Sequence, residues 1–272
     1  MANYRPYQSI CETRKKCNLI SCRDYMPSLH LQPYVESCWT MVSGVELQKS
    51  VQHRVIPDGC VDVVFDLNAP SYTKAASVVG TMTRPIFAEL KKRVDYMAIR
   101  FLPGAAFRFL DNPMSDFTDQ IVPLEAVSGK EGHNLAEHLI SRNHVEDKIV
   151  LLENYLTKLL DANCRRDAVA EAAVHCILAN KGNIRISELA RMSGSSEREL
   201  RRKFDRCVGV TPKVLCRIIR FQHVLQTLRR GSGHNLLSAA LDSGYYDQSH
   251  FIHEFNSCYG LSPSEFVEIK NP

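Results

Sequence analysis

Ile186-Ser-Glu-Leu-Ala190-Arg-Met-Ser-Gly194, then Ser196-Glu-Arg-Glu-Leu200-Arg-Arg-Lys-Phe204, then Gly209-Val-Thr-Pro212, returns further along as Leu237-Ser-Ala-Ala240-Leu-Asp-Ser-Gly244, Asp247-Gln-Ser-His-Phe251-Ile-His-Glu-Phe255 and Gly260-Leu-Ser-Pro263. Ala190 and Ala240 stand 50 residues apart, while Phe204 and Phe255, like Pro212 and Pro263, stand 51 apart. The extra residue falls in the turn before the second helix of the pair. A small Ala lets two helices cross closely, and a Gly four residues later supplies a left-handed turn. Leu200 with Phe204, and Phe251 with Phe255, share a helix face. Thr211-Pro212 and Ser262-Pro263 place an N-cap before a proline at the first helical position. Ser196 with Glu199, and Ser262 with Glu265, fit the capping box. One such helix-turn-helix match is a weak signal. Two in register, joined by a long helix, predict a duplicated unit.

Charge follows the repeat. Residues 1–165 hold 19 Lys and Arg and 19 Asp and Glu, whereas residues 166–272 hold 15 against 11, so the formal +4 belongs wholly to the C-terminal part. Within 196–230 the balance is 10 basic to 3 acidic. A solvated charged face is the plain reading of such a run. Its coincidence with the repeat favours phosphate neutralisation, and double-stranded DNA is the expected partner. No apolar run approaches the ~18 residues of a membrane span. Met1–Ile10 lacks a signal-peptide core, so a cytoplasmic protein with no membrane partner is expected.

Working outward towards the N-terminus, the period changes. Residues 1–27 are polar, basic and without period, and are expected to be poorly structured. Residues 28–165 read as a sensor or oligomerisation domain, β-rich at first and helical from about 130, and 166–272 as the helix-turn-helix region. The clearest strand has Val61, Val63 and Phe65 alternating with Asp62, Val64 and Asp66. Pro33 to Val42, Ser77 to Thr81, Phe87 to Leu90 and Tyr96 to Leu102 read as further strands, and Ala105 to Leu110 as a short helix. The predicted fold class is α+β: a β-barrel or sandwich-like domain with flanking helices, then an all-α domain of two helix-turn-helix units joined by a long helix. Ile149, Leu152, Leu156, Leu159 and Leu160 mark an amphipathic helix over about 145–162. Its stripe has two readings, a homodimer interface or packing on its own β domain. A further helix runs from about Asp167 to Asn180, with Gly182 as its C-cap.

The C-terminal hundred residues resemble the AraC/XylS family of transcription regulators. The likeness is carried by Ile186-Ser-Glu-Leu-Ala190, Gly209-Val-Thr-Pro212, Gly244-Tyr-Tyr-Asp-Gln-Ser-His-Phe251, Phe255 and Gly260-Leu-Ser-Pro263. Ile56-Pro-Asp-Gly-Cys60, Gly80-Thr-Met-Thr-Arg-Pro85 and Arg100-Phe-Leu-Pro-Gly104 are similar to a sensor-type domain attached to some members. The resemblance implies transcription regulation by two units in adjacent major grooves. Residues 212–229 would make a helix of about 27 Å, commensurate with the ~34 Å between successive major grooves.

On that likeness the first recognition helix presents Ser196, Arg198, Arg201 and Arg202 to DNA, with Lys203 and Arg206 assigned to phosphate. Arginine matches guanine O6 and N7 bidentately. The second presents Gln248, Ser249, His250, His253 and Asn256. Family members often carry Arg where His253 stands and Lys where Asn256 stands, so this unit would add selectivity or touch RNA polymerase more than it adds affinity. A small-molecule effector is the expected ligand of the N-terminal domain, with Arg54, Arg84 and Arg100 as anchors for an anion, or else as salt-bridge partners of Asp58 or Asp62.

An enzyme needs a constellation that is missing here: no Gly-rich phosphate loop, HExxH or Gly-x-Ser-x-Gly occurs. No catalytic residue, cofactor or metal is expected. Asp58, Asp62 and Asp66 lie four apart on one strand face, which a bound cation or simply an exposed strand face or turn would explain. Cys11, Cys17, Cys22 and Cys38 lack the paired spacing of a zinc site. Cys176 and Cys216 read as core positions and the other thiols as surface ones. The alternative function is a redox or metal sensor signalling through Cys11, Cys17, Cys22 or Cys60.

Overall fold

The computed structural model describes residues 4–8, 19–162, 165–230, 240 and 243–270. Its strands are β1 (Ile20–Tyr25), β2 (Val35–Ser43), β3 (Leu47–Val55), β4 (Val61–Asp66), β5 (Ala76–Val79), β6 (Ile86–Lys92), β7 (Asp95–Phe101) and β8 (Ile121–Pro123). Its helices are α1 (Leu124–Ile140), α2 (Val145–Ala162), α3 (Ala168–Ala179), α4 (Ile186–Met192), α5 (Glu197–Cys207), α6 (Pro212–Arg230), α7 (Gln248–Tyr259) and α8 (Pro263–Lys270).

The period-2 alternation of β4 is reproduced residue for residue: Val61, Val63 and Phe65 are buried and the residues between them half-buried. β4 lies against β7, the middle of a six-stranded antiparallel sheet of order β1-β2-β7-β4-β5-β8. β3 and β6 form a separate two-stranded ribbon, which meets the sheet through Met41, Leu47, Val51, Leu90 and Val94. The expected barrel is therefore an open sheet with edges at β1 and β8. Residues 20–25, assigned in the sequence to a poorly structured start, form β1, in register with β2 from Ile20↔Ser43 to Tyr25↔Cys38. Only Ile20 of that strand is buried, so backbone pairing rather than an apolar face holds it, and periodicity could not mark it. The first half of β3, Leu-Gln-Lys-Ser, escaped the sequence reading for the same reason. Ala106–Arg108 makes a single 3-10 turn rather than an α-helix. α1 begins at Leu124, ahead of the expected start, and kinks at Gly129 (φ 55°, ψ −137°).

α2 spans the residues its leucine stripe predicts. Leu152 and Leu156 enter the main core, with Ile149, Tyr155, Leu159 and Leu160 packed on it. Ser28 N–H donates to Glu153 at 2.8 Å. The stripe thus packs on its own domain, as one of its two readings expects.

The core ignores the expected boundary at 165/166. One cluster runs from Val63, Phe65, Met97 and Phe101 in the sheet through Ala173 and Ile177 of α3 to Leu189, Leu200, Phe204 and Leu215 of the first helix-turn-helix unit. The second unit has its own core of Phe221, Phe251, Phe255, Tyr259 and Phe266, to which the β region contributes Ile56.

The three stretches that carry the N-terminal likeness line this junction. Thr81 Oγ1 donates to Val208 O at 3.3 Å, and Arg217 to Thr83 O at 3.0 Å. Pro103 and Gly104 border a cavity shared with α3 and the end of α5. Pro57 O accepts from Gln222 Nε2 at 2.7 Å. The N-terminal segment Tyr4–Gln8 is placed in the same joint. Tyr4 OH donates to Asp58 O at 2.6 Å. Gln8 pairs both backbone groups of Ile56, accepting from its N–H at 3.1 Å and donating to its C=O at 2.8 Å. Tyr7 N–H donates to Gln222 Oε1 at 2.7 Å, and Gln222 Nε2 donates back to Tyr7 O at 3.2 Å. Gln222 is 0% exposed, so its amide cannot be replaced by water. Gln222→Ala strands the buried Pro57 carbonyl and the half-buried Tyr7 N–H, and is expected to cost about 1–3 kcal/mol in a urea titration of the full chain. A change below ~0.5 kcal/mol would show that the joint contributes nothing.

Candidate DNA-binding surface

The first unit is built by turn chemistry. α4 buries Leu189 and Ala190. Gly194 then adopts φ 66°, and the chain closes with Ser195 N–H donating to Ala190 O at 3.0 Å. Nothing lies within 4 Å of where a Gly194 side chain would start, so the backbone angle, not space, calls for glycine. In the second unit Tyr245 N–H donates to Ala240 O at 3.2 Å, after Gly244 at φ 85°. The sequence repeat is thus a repeat of hydrogen bonds. The remaining residues of the second scaffold helix, 237–239 and 241–242, lie outside the described residues.

The N-caps hold as read, the Ser196 capping box in one of its two bonds. Ser196 Oγ accepts from Glu199 N–H at 3.2 Å at the start of α5. Thr211 Oγ1 accepts from Val214 N–H at 3.3 Å ahead of α6. Ser262 and Glu265 exchange both capping-box bonds, at 2.7 and 3.2 Å. α7 is capped by Asp247, which accepts from His250 N–H at 2.7 Å.

α5 divides cleanly. Leu200, Phe204 and Cys207 are buried, whereas Arg198, Arg201 and Arg202 are exposed. Among the described residues no carboxylate pairs with these three arginines, so their guanidinium groups are available to an incoming acceptor. Lys203 and Arg206 turn the other way. Lys203 Nζ reaches Asp167 Oδ2 at 2.8 Å, and Arg206 reaches the same oxygen at 3.3 Å with its guanidinium 5.3 Å over the Phe107 ring. Burial opposes charge on Asp167, but the bonds from Lys203 and Ala170 N–H outweigh it and hold the carboxyl below its ordinary pKa. Two residues assigned to phosphate therefore anchor α5 to α3 and to the N-terminal part.

On α7, Gln248, Ser249, His253 and Asn256 are exposed. His250 is tied to Glu254 Oε1 at 3.3 Å, beside the Tyr245 ring. Glu254 is only 14% exposed and is held between Arg220 and His250, whereas the exposed carboxylates of α5, Glu197 and Asp205, flank its arginine face without pairing with it. Tyr246, 88% exposed in the turn before α7, directly precedes the N-cap Asp247 and was missed as a candidate contact. An aromatic with no helical period to bury it, next to a capping Asp, was the available signal.

The structure does not bring Arg54, Arg84 and Arg100 together as an anion pocket. Arg100 forks onto Asp62 at 3.0 and 2.8 Å, the salt-bridge alternative. Arg54 is 5% exposed, with its guanidinium 4.5 Å over Tyr259 of α7. Arg84 is exposed in the loop before β6. Burial pushes the Asp58 carboxyl up, against the pull of Arg100. No group of three potential metal ligands occurs among the described residues. The surface position expected for most thiols is corrected: Cys38, Cys60, Cys207 and Cys258 are buried. Burial, with Asp58 adding to it, raises the Cys60 thiol well above its ordinary range, the opposite of what a reactive thiolate needs. Cys11 and Cys17 lie outside the described residues.

Two exposed-helix faces on a duplicated helix-turn-helix frame, one of them rich in unpaired arginine, define a DNA-binding protein of the helix-turn-helix class. Residues 189–269 match a family profile described as "Helix-turn-helix domain", and the chain carries an AraC-type helix-turn-helix domain, that of a transcription regulator. Residues 23–123 match a second profile, "Domain of unknown function (DUF6597)". Among solved structures the chain is similar to a probable AraC family transcriptional regulator from Rhodopseudomonas palustris CGA009, at 26% identity over 39% of this chain and 100% of that one, with a TM-score of 0.36. It is similar also to ToxT from Vibrio cholerae, at 13% identity over 92% of this chain and 98% of that one, with a TM-score of 0.43. An unsaturated fatty acid-bound ToxT from Vibrio cholerae strain SCE256 aligns at 14% identity over 92% and 95%, with a TM-score of 0.39. No curated protein matches the chain. No helix among the described residues is long and apolar enough to cross a membrane.

Proposed function

We infer that this regulator reads DNA with α5 and α7 in successive major grooves, α5 supplying most of the affinity, and that a small molecule bound to its N-terminal part modulates that binding. The observation that carries the reading is the exposed, unpaired Arg198, Arg201 and Arg202 on a helix whose opposite face is locked in the core. The 19-residue α6, about 28 Å long, supports spacing of the two units by roughly one turn of B-DNA. The effector is supported by the shared core: the β region packs on the first unit, so any change in it reaches α5.

The test is a duplex selected from a random pool, titrated with the full chain at several salt concentrations. Footprints are expected over two patches about 10 bp apart. The logarithm of affinity should fall with log salt at a slope near −0.9 per phosphate contacted. A selected pool that stays random, or affinity indifferent to salt, removes the reading.

A further inference from the structure

The seam between the sheet region and the first helix-turn-helix unit encloses a cavity of about 60 Å³. Its walls come from both sides: Tyr34, Leu102, Phe107 and Arg108 from the N-terminal part, Val174 on α3, and Val208 at the exit of α5. The walls are mostly apolar and also carry Arg108, Asp167, Glu171 and His175, a make-up usual for a small-molecule site; Asp167 is neutralised by Lys203 and Arg206, and Glu171 by Arg166. The volume is several times the ~10–15 Å³ that one water requires, and too small for a long chain.

Arg108 is incompletely partnered there. Its Nη1 reaches Glu171 only at 3.4 Å, its guanidinium stands 4.9 Å from the Tyr34 ring centre, and its Nε is buried with no acceptor. A buried donor without an acceptor calls for an explanation. Glu171 has a better partner in Arg166, whose Nε lies 2.8 Å from it. If Arg108 turned to another carboxylate, Glu171 would keep its own counter-charge.

We propose that this cavity is the effector site and that it takes a small apolar monocarboxylate, a single ring or short branched chain whose carboxylate pairs with the Nε edge of Arg108. This rests on the reading of the chain as a ligand-responsive regulator. The hydrocarbon lies against Leu102, Phe107 and Val174. Because Val208 follows directly on α5, a bound acid bears on the seating of the recognition helix against the N-terminal part.

The test uses the full chain with 4-methylpentanoate and phenylacetate at millimolar concentration, each beside its neutral amide. The acids are expected to raise the unfolding temperature by about 4 °C or more, and the amides not to. Arg108→Gln should abolish the rise. Val174→Phe, which fills the cavity and leaves Arg108 in place, should abolish it as well, and decides the matter alone if Arg108→Gln does not fold. The proposal is overturned if neither acid shifts the wild-type chain, or if the shift survives in a folded variant. DNA titration of the same samples separates the two readings. Intact DNA binding without an acid response removes this site and keeps the regulator. An Arg108-dependent response in a chain that binds no DNA keeps the site and removes its regulatory role.

Discussion

Arg202→Ala is expected to lower affinity for a selected duplex by about tenfold to a hundredfold, the ~1–3 kcal/mol of one bidentate guanine contact, while His253→Ala weakens it by less than about fivefold. Arg202 is exposed on α5, one turn from Arg198 and beside Arg201, with no carboxylate among the described residues to hold it back. His253 is exposed on α7 as well, but an imidazole lacks the guanidinium fork that meets guanine O6 and N7 bidentately. Truncating Arg198 and Arg202 together should leave only salt-sensitive, sequence-indifferent binding. Lys203→Ala provides the contrast. It breaks the ion pair to Asp167, so its effect should appear in unfolding as well as in DNA titration. Equal losses for Arg202→Ala and His253→Ala in a footprinting titration would sink the ranking of the two units.

Phe255→Ala carries the largest stability effect, about 3–5 kcal/mol. Phe255 is fully buried and packs edge-on or tilted against Phe221, Phe251, Tyr259 and Phe266, at centroid distances of 5.5 to 5.7 Å. Removing it opens a void at the centre of the second unit's core. Since that core is separate from the one shared by the sheet and the first unit, the variant should melt in two steps, the second unit first. A single cooperative transition displaced as a whole would show that the two cores unfold together.

The helical half was largely legible because its signals are local. A Gly at a fixed offset from an Ala, a Ser or Thr ahead of Pro, and apolar residues four apart each specify one feature of backbone or packing, and each recurs in both copies. The α2 boundaries and the β4 alternation were legible for the same reason. What periodicity could not give was partnership. Ile56-Pro-Asp-Gly-Cys60 and Gly80-Thr-Met-Thr-Arg-Pro85 looked like parts of a sensor, yet the structure places them where the β region grips the helices. Lys203 and Arg206 looked like their arginine neighbours, and only the fold reveals Asp167 beneath them. Tyr4 and Gln8, within a stretch without period, find their partners in Asp58, Ile56 and the loop beside Gln222, about fifty or more residues away. Long-range pairings of this kind leave no spacing to read.

Gly209 and Gly260 occupy equivalent places in the repeat, each at the exit of a recognition helix, and both abut the N-terminal part. A side chain at Gly209 would begin 2.6 Å from Met114 O, and one at Gly260 3.3 Å from Pro85. Thr118 Oγ1 also donates to Gly209 O at 2.6 Å. If α5 and α7 read DNA as proposed, the N-terminal part is a caliper whose two jaws, at Met114 and Pro85, rest on the same point of each reading head. A shift of one jaw would alter the interval between the heads before it altered either head. Its signature in a selection from random duplexes would be a changed count of base pairs between two unchanged half-sites.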